Sequence, residues 1–128
     1  MRPRFLNSVS MVLLSIVFFT SCNKNKLGGN ASIQLQVRHH GKSISKARIF
    51  VKCNASAFPG TDTLTYDAVF TSNEEGKIQI AVYPGNYYVW AVGSDYSVPP
   101  PHIVNGGIPV TMRFNEQRNL EVPVSEGD

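Results

Sequence analysis

The sequence predicts an all-β chain of about seven short strands, folded as an antiparallel sandwich. Three observations predict it. Apolar residues recur at every second position in six separate windows after Ala31, most of them against polar neighbours, the pattern of strands that bury one face. Turn-forming residues separate those windows at short, regular intervals, as in sandwiches and barrels. No window keeps apolar residues at helical spacing over ten or more positions.

The elements follow in order. Arg2 and Arg4 precede the apolar run Val9 to Phe19, and the small residues Thr20 and Ser21 lead into Cys22. Charge, apolar run and small residues in that order form a secretory signal. A spanning helix needs about 20 apolar residues, and this run is shorter and interrupted by Ser10 and Ser15. The Ser-Cys ending resembles the lipobox of bacterial lipoproteins, with Phe19 standing where that family has Leu. The resemblance implies a signal peptide over 1–21, cleavage before Cys22, and acyl chains such as palmitate on Cys22. Several chains on one residue anchor stably, whereas one holds only marginally.

Residues 23–30, NKNKLGGN, are polar with two glycines and read as a flexible tether. It spans at most about 25 Å, which keeps the domain near its membrane. Lipoproteins retained at the inner membrane often carry Asp after the cysteine; here the residue is Asn23. Some surface-exported ones carry acidic clusters, where this tether has Lys24 and Lys26. The resemblance therefore implies an outer-membrane lipid anchor, on the periplasmic face rather than the cell surface.

A single domain, 31–128, then follows. Ile33, Leu35 and Val37 alternate with Gln34, Gln36 and Arg38; Ala47, Ile49 and Val51 alternate with Lys46, Arg48 and Lys52. Leu64 to Phe70 is a strand of unclear phase. Ile78, Ile80 and Val82 make the next, then Tyr87, Val89 and Ala91, then Val110, Met112 and Phe114, then Leu120, Val122 and Val124. His40-Gly41-Lys42 reads as a turn. Asn73 to Gly76 suits a type I turn, and Tyr83-Pro84-Gly85-Asn86 a type II turn. Pro123 cannot donate to a ladder, so the last strand belongs at an edge.

The stretch ARIFVK (47–52) after Gly41, followed by TSNEEGKIQIAVYPGNYYVWAV (71–92) and NLEVPV (119–124), resembles the carboxypeptidase-regulatory-like domains. Gly76, Pro84, Gly85 and Tyr87 carry the likeness. It implies a Greek-key, prealbumin-like (transthyretin-like) sandwich. Such modules serve as spacers, stalks and accessory domains, so the likeness does not fix an activity.

Charge and motifs narrow the function. The whole chain is formally +3, yet from Ala31 onward 8 basic residues face 9 acidic ones. A near-neutral domain lacks the footprint of a nucleic-acid binder, and no nucleic-acid partner is expected. The transthyretin-like hydroxyisourate hydrolases end in Tyr-Arg-Gly-Ser; this chain ends VSEGD. No Gly-x-Ser-x-Gly, Cys-x-x-Cys or His-x-x-x-His spacing occurs. Neighbouring strand residues point to opposite faces, so His39 and His40 are not expected to share a metal. Cys53 shares the phase of Ile49 and Val51 and reads as a small buried residue. The expectation is a non-enzymatic module with no cofactor and no metal.

Two features nominate contacts. If Tyr87, Val89 and Ala91 face the core, Tyr88 and Trp90 face outward, where aromatics serve interfaces or stack on sugars. Residues 94–107, SDYSVPPPHIVNGG, read as a long loop stiffened by three prolines, with Tyr96 and His102 flanking them. Gly106-Gly107 reads as a loop or bulge. Asp62-Thr63-Leu64 resembles a bacterial O-glycosylation sequon, placing a sugar on Thr63. The expected function is a membrane-anchored scaffold for an envelope protein partner, with glycan capture as the alternative.

Overall fold

The computed structural model describes residues 25–97 and 99–126; the signal peptide, Cys22 and the first tether residues lie outside that range. Two sheets pack face to face as an all-β sandwich. Nine strand elements occur among the described residues: β1 Leu27–His39, β2 Lys42–Ser43, β3 Arg48–Cys53, β4 Ala68–Thr71, β5 Lys77–Val82, β6 Gly85–Asp95, β7 His102–Met112, β8 Gln117–Pro123 and β9 Ser125–Glu126. In the first sheet β1 pairs with β2, β5 and β8; the second runs β4-β3-β6-β7-β9.

The core follows from the alternation. Ile33, Leu35 and Val37 from β1 meet Ile49 and Val51 from β3, and Tyr87, Val89 and Ala91 from β6. Ile80, Val82, Val110, Met112 and Val122 complete it, each at most 3% exposed. Tyr87 carries a polar tip into this apolar layer. Its hydroxyl is satisfied by the carbonyls of Lys26 and Tyr83, so the start of β1 is tied to the β5–β6 connection.

Two turns form as their residues require, whereas the expected type II turn over 83–86 does not: Gly85 sits at φ 149° and already opens β6. Asn73 accepts from Gly76 N through its carbonyl and from Glu75 N and Lys77 N through its side chain. Gly76 sits at φ 75°, in the left-handed region that glycine enters without cost. His40 and Gly41 both have positive φ and close the β1–β2 hairpin in the sense that suits the strand twist.

Several expectations are corrected. The pairing of β1 with β8 is parallel, Ser32 opposite Gln117 through Arg38 opposite Pro123. This is feasible because β8 arrives from β7 of the other sheet and no hairpin joins it to β1. β8 pairs only with β1, so Pro123 does lie in an edge strand. Strand β1 reaches back to Leu27, which pairs with Val82 across a register shift; Leu27–Asn30 are strand rather than tether. Of Leu64–Phe70, only the part from Ala68 is strand, and Thr63–Thr65 form a short 3-10 turn capped by Asp62. Phe114 leaves the strand phase and sits in the β7–β8 turn, 71% exposed.

The expected loop 94–107 is mostly strand. β6 and β7 pair continuously from Gly85–Met112 to Asp95–His102. Gly106 and Gly107 lie inside β7 for close approach: a Cβ on Gly106 would clash with the Pro123 carbonyl, and one on Gly107 would meet Tyr88 and the Val89 carbonyl at 2.6 Å. Glycine in a strand interior marks such an approach as well as a bulge.

Candidate functional site

The outer face of the five-stranded sheet carries a second, aromatic cluster. Phe50 and Trp90 are cross-strand neighbours, with ring centroids 5.4 Å apart. Residues 54–67, between β3 and β4, fold back over them. Tyr66 stacks on Trp90 at 5.7 Å and 20°, and Phe58 meets it edge-on at 5.7 Å and 60°. Phe58 also touches Tyr88, and the Arg48 guanidinium lies over Phe50. The segment is pinned at both ends: Asn54 N donates to the Asn86 carbonyl, Asp67 N to the Val51 carbonyl, and Cys53 N to the Asp67 carboxylate.

Trp90 does face outward, as its phase requires, but it is only 7% exposed. It is therefore not a stacking platform for a sugar ring. Tyr88 is half-buried beside it. Exposed apolar surface lies instead on the covering segment and beside it, at Phe58, Leu64 and Val69. The sequence reading marks a strand and Thr63 here but not the aromatic cover that Phe58 and Tyr66 provide. The signal was available: a stretch of that length between antiparallel neighbours is long, and this one carries Phe58 and Tyr66. Thr63 is exposed on the same segment. Cys53 is partly buried and free. Burial and then the Asp67 carboxylate push its thiol upward, away from the thiolate that reactivity needs.

The opposite outer face, on β1, β5 and β8, holds an open groove lined by Gln34, Gln36, Lys77, Gln79, Asn119 and Glu121, with Leu35, Ile78 and Leu120 at its floor and walls.

At one end of the sandwich all three histidines of the chain converge. His39, the last residue of β1, keeps the core phase and is 3% exposed. Its Nδ1 lies 2.7 Å from Asp95 Oδ2 at the end of β6. The other Asp95 oxygen accepts from the hydroxyl and amide of Ser97. The Ser97 and His39 hydrogen bonds hold the Asp95 carboxyl well below the usual carboxylate range. Glu126 of β9 lies across from His39, its Oε1 3.9 Å from His39 Nε2 and 2.8 Å from His102 Nδ1. The hydrogen bond and positive charge of His102 hold Glu126 below its ordinary value.

His39 and His40 do not point apart. His40 has left the strand at φ 50°, and its ring swings to 4.1 Å from the His39 ring. Alternation holds within a strand, not across its last residue. His39, His40 and Glu126 each offer one ligand atom, all within 4.8 Å of one another. His102 joins this cluster, whereas Tyr96 projects from the hairpin tip, 74% exposed. The nominated contacts thus fall into three places: Tyr88 and Trp90 in the aromatic cluster, His102 in the histidine cluster, and Tyr96 at the tip.

No protein-family model matches the chain, and no curated protein matches it. No helix among the described residues is long and apolar enough to cross a membrane.

Proposed function

We propose that the chain is a lipid-anchored, non-enzymatic interaction module of the cell envelope, held at the outer membrane through acylated Cys22. On this reading the sandwich faces the periplasm and presents the 54–67 face to an envelope protein. The observation that carries it is the exposure of Phe58, Leu64 and Val69 around a buried aromatic cluster. Val69 pairs with Phe50 in the ladder and so shares its face. The polar anchoring of the segment holds this apolar surface in place, and pre-ordered apolar contacts cost less to bind than mobile ones.

The test is a photo-crosslinking residue at position 64 in the full chain, in its own envelope, with position 34 on the opposite face as control. A discrete protein adduct at 64 and none at 34 supports the reading. Equal or absent labelling at both positions overturns it. The glycan alternative loses its platform with Trp90 buried, and rests now on the amide-lined groove of Gln34, Gln79 and Asn119. Saturable binding to any glycan, lost on Gln34→Ala, would revive it.

A further inference from the structure

We propose that the histidine end of the sandwich binds one divalent late first-row transition ion, for which zinc is the probe, through His39 Nε2, His40 and Glu126. At that end one buried polar atom has no partner. His39 is almost fully buried, yet its Nε2 has no hydrogen-bond partner. Leaving a buried polar atom unpaired costs stability, so such an atom needs an explanation.

Asp95 supplies the first part. An ionised carboxylate only accepts, so His39 Nδ1 carries the hydrogen it donates there. With Nδ1 turned to Asp95, Nε2 is the ring atom left without a partner. What it faces is a second carboxylate oxygen, on Glu126, 3.9 Å away. With no proton on Nε2, its lone pair and this oxygen would repel each other, and a metal ion between them would hold both. The spacing is too long for a direct hydrogen bond.

The donor set says which cation. Two imidazoles and one carboxylate suit zinc, nickel or copper, whereas magnesium and calcium take oxygen ligands. Ligand atoms around a tetrahedral zinc lie about 3.3 Å apart, given bonds near 2.0 Å. The present atoms lie within 4.8 Å, so closure needs a shift of roughly 1.5 Å. The two ligands that must move, His40 and Glu126, are the exposed ones. His39 is fixed by its surroundings.

The outer partners are also in place. Metal-bound histidines usually donate their other ring N–H to a carboxylate, which sets the tautomer; Asp95 does this for His39. His102 holds the same Glu126 oxygen, Oε1, at 2.8 Å and is a positioning residue that leaves Oε2 for the ion. Solvent completes the shell, on the open side where Glu126 is about half exposed.

The test uses the untagged full chain in detergent, stripped of metal and titrated calorimetrically with zinc chloride at neutral pH. The expected result is one ion per chain at micromolar affinity or tighter, with no heat from magnesium. His40→Ala and Glu126→Gln should each weaken zinc at least tenfold, and His102→Gln about tenfold, in the range seen for outer-shell partners. Both ligand side chains are exposed, so metal-free melting should match the parent and separate lost binding from lost folding. Cys53→Ser should leave the affinity unchanged. Absence of a one-to-one site, an affinity indifferent to both His40→Ala and Glu126→Gln, or a site lost with Cys53 would overturn the proposal. The first result would assign the space between His39 and Glu126 to a proton rather than a metal ion.

Discussion

Replacing Trp90 with alanine measures whether the outer aromatic cluster is a second core or a surface. Trp90 is 7% exposed and contacts Phe50, Phe58 and Tyr66 at centroid distances of 5.4 to 5.7 Å. A buried indole removes about 150–250 Å² from water, worth about 4–6 kcal/mol at ~25 cal/mol per Å². Covering side chains can partly collapse into the space, which brings the expected loss to about 3–5 kcal/mol. A domain of this size has about 5–15 kcal/mol in total, so Trp90→Ala should come close to unfolding it. Trp90→Phe keeps a ring in the cluster and should cost roughly half as much. The assay is urea unfolding followed by circular dichroism, because Trp90 is the sole tryptophan and the variant loses that fluorescence. In the parent the same fact helps: tryptophan emission should be blue-shifted and resist iodide quenching. A loss under about 1 kcal/mol, or a freely quenched tryptophan, would refute burial and restore Trp90 as a surface contact.

Three further outcomes are expected. Tyr87→Phe removes the hydroxyl shared with the Lys26 and Tyr83 carbonyls and should cost about 1–2 kcal/mol by urea midpoint. Burial first, and then the nearby Cys53, push the Tyr87 phenol up to about 12, above its unfolded value near 10. Its protonated form therefore stabilises the fold fully below pH 10, and that contribution is lost as pH rises from 10 towards 12; the Phe variant should lose this part of the alkaline dependence. The added Cβ of Gly106→Ala would clash with the Pro123 carbonyl, which must move, and the substitution should cost about 1–3 kcal/mol, read as a lower thermal midpoint. Cys22→Ser should abolish labelling by an alkyne fatty acid and release the protein from the membrane fraction; persistent labelling would place the acyl group elsewhere.

The sandwich was legible because its signal is repeated locally. Period-two alternation in β1, β3, β5 and β6 names the buried face without any knowledge of partners, and Asn73 and Gly76 name a turn by their own chemistry. The errors share a different cause: each depends on what another segment does. Gly106 and Gly107 look like loop residues until Pro123 and Tyr88 occupy the space above them. The parallel match of β8 to β1 is invisible in either strand, since both alternate identically in either direction. Trp90 faces outward by phase, and only the fold-back of Phe58 and Tyr66 decides that outward is not exposed.

The histidine cluster is the sharpest case. Alternation assigns His39 to one face and His40 to the other, which holds for residues that both remain in the ladder. His40 is the first residue of the hairpin turn, and its positive φ cancels the half-turn that would have separated the rings. The partners arrive from still further along the chain: Asp95 where β6 ends, His102 where β7 begins, and Glu126 where the chain has crossed back to pair with β7. Strand ends are where a sandwich can bring polar groups together, because the ladder no longer fixes each side chain to one face and the core no longer excludes charge. Three histidines spaced at 39, 40 and 102 satisfy no ligand motif, since a motif describes one segment and this cluster is assembled from four. A pair of residues at a strand's last position and the following turn should therefore be read as able to converge, and alternation used as an argument against a shared ligand only when both lie inside the strand.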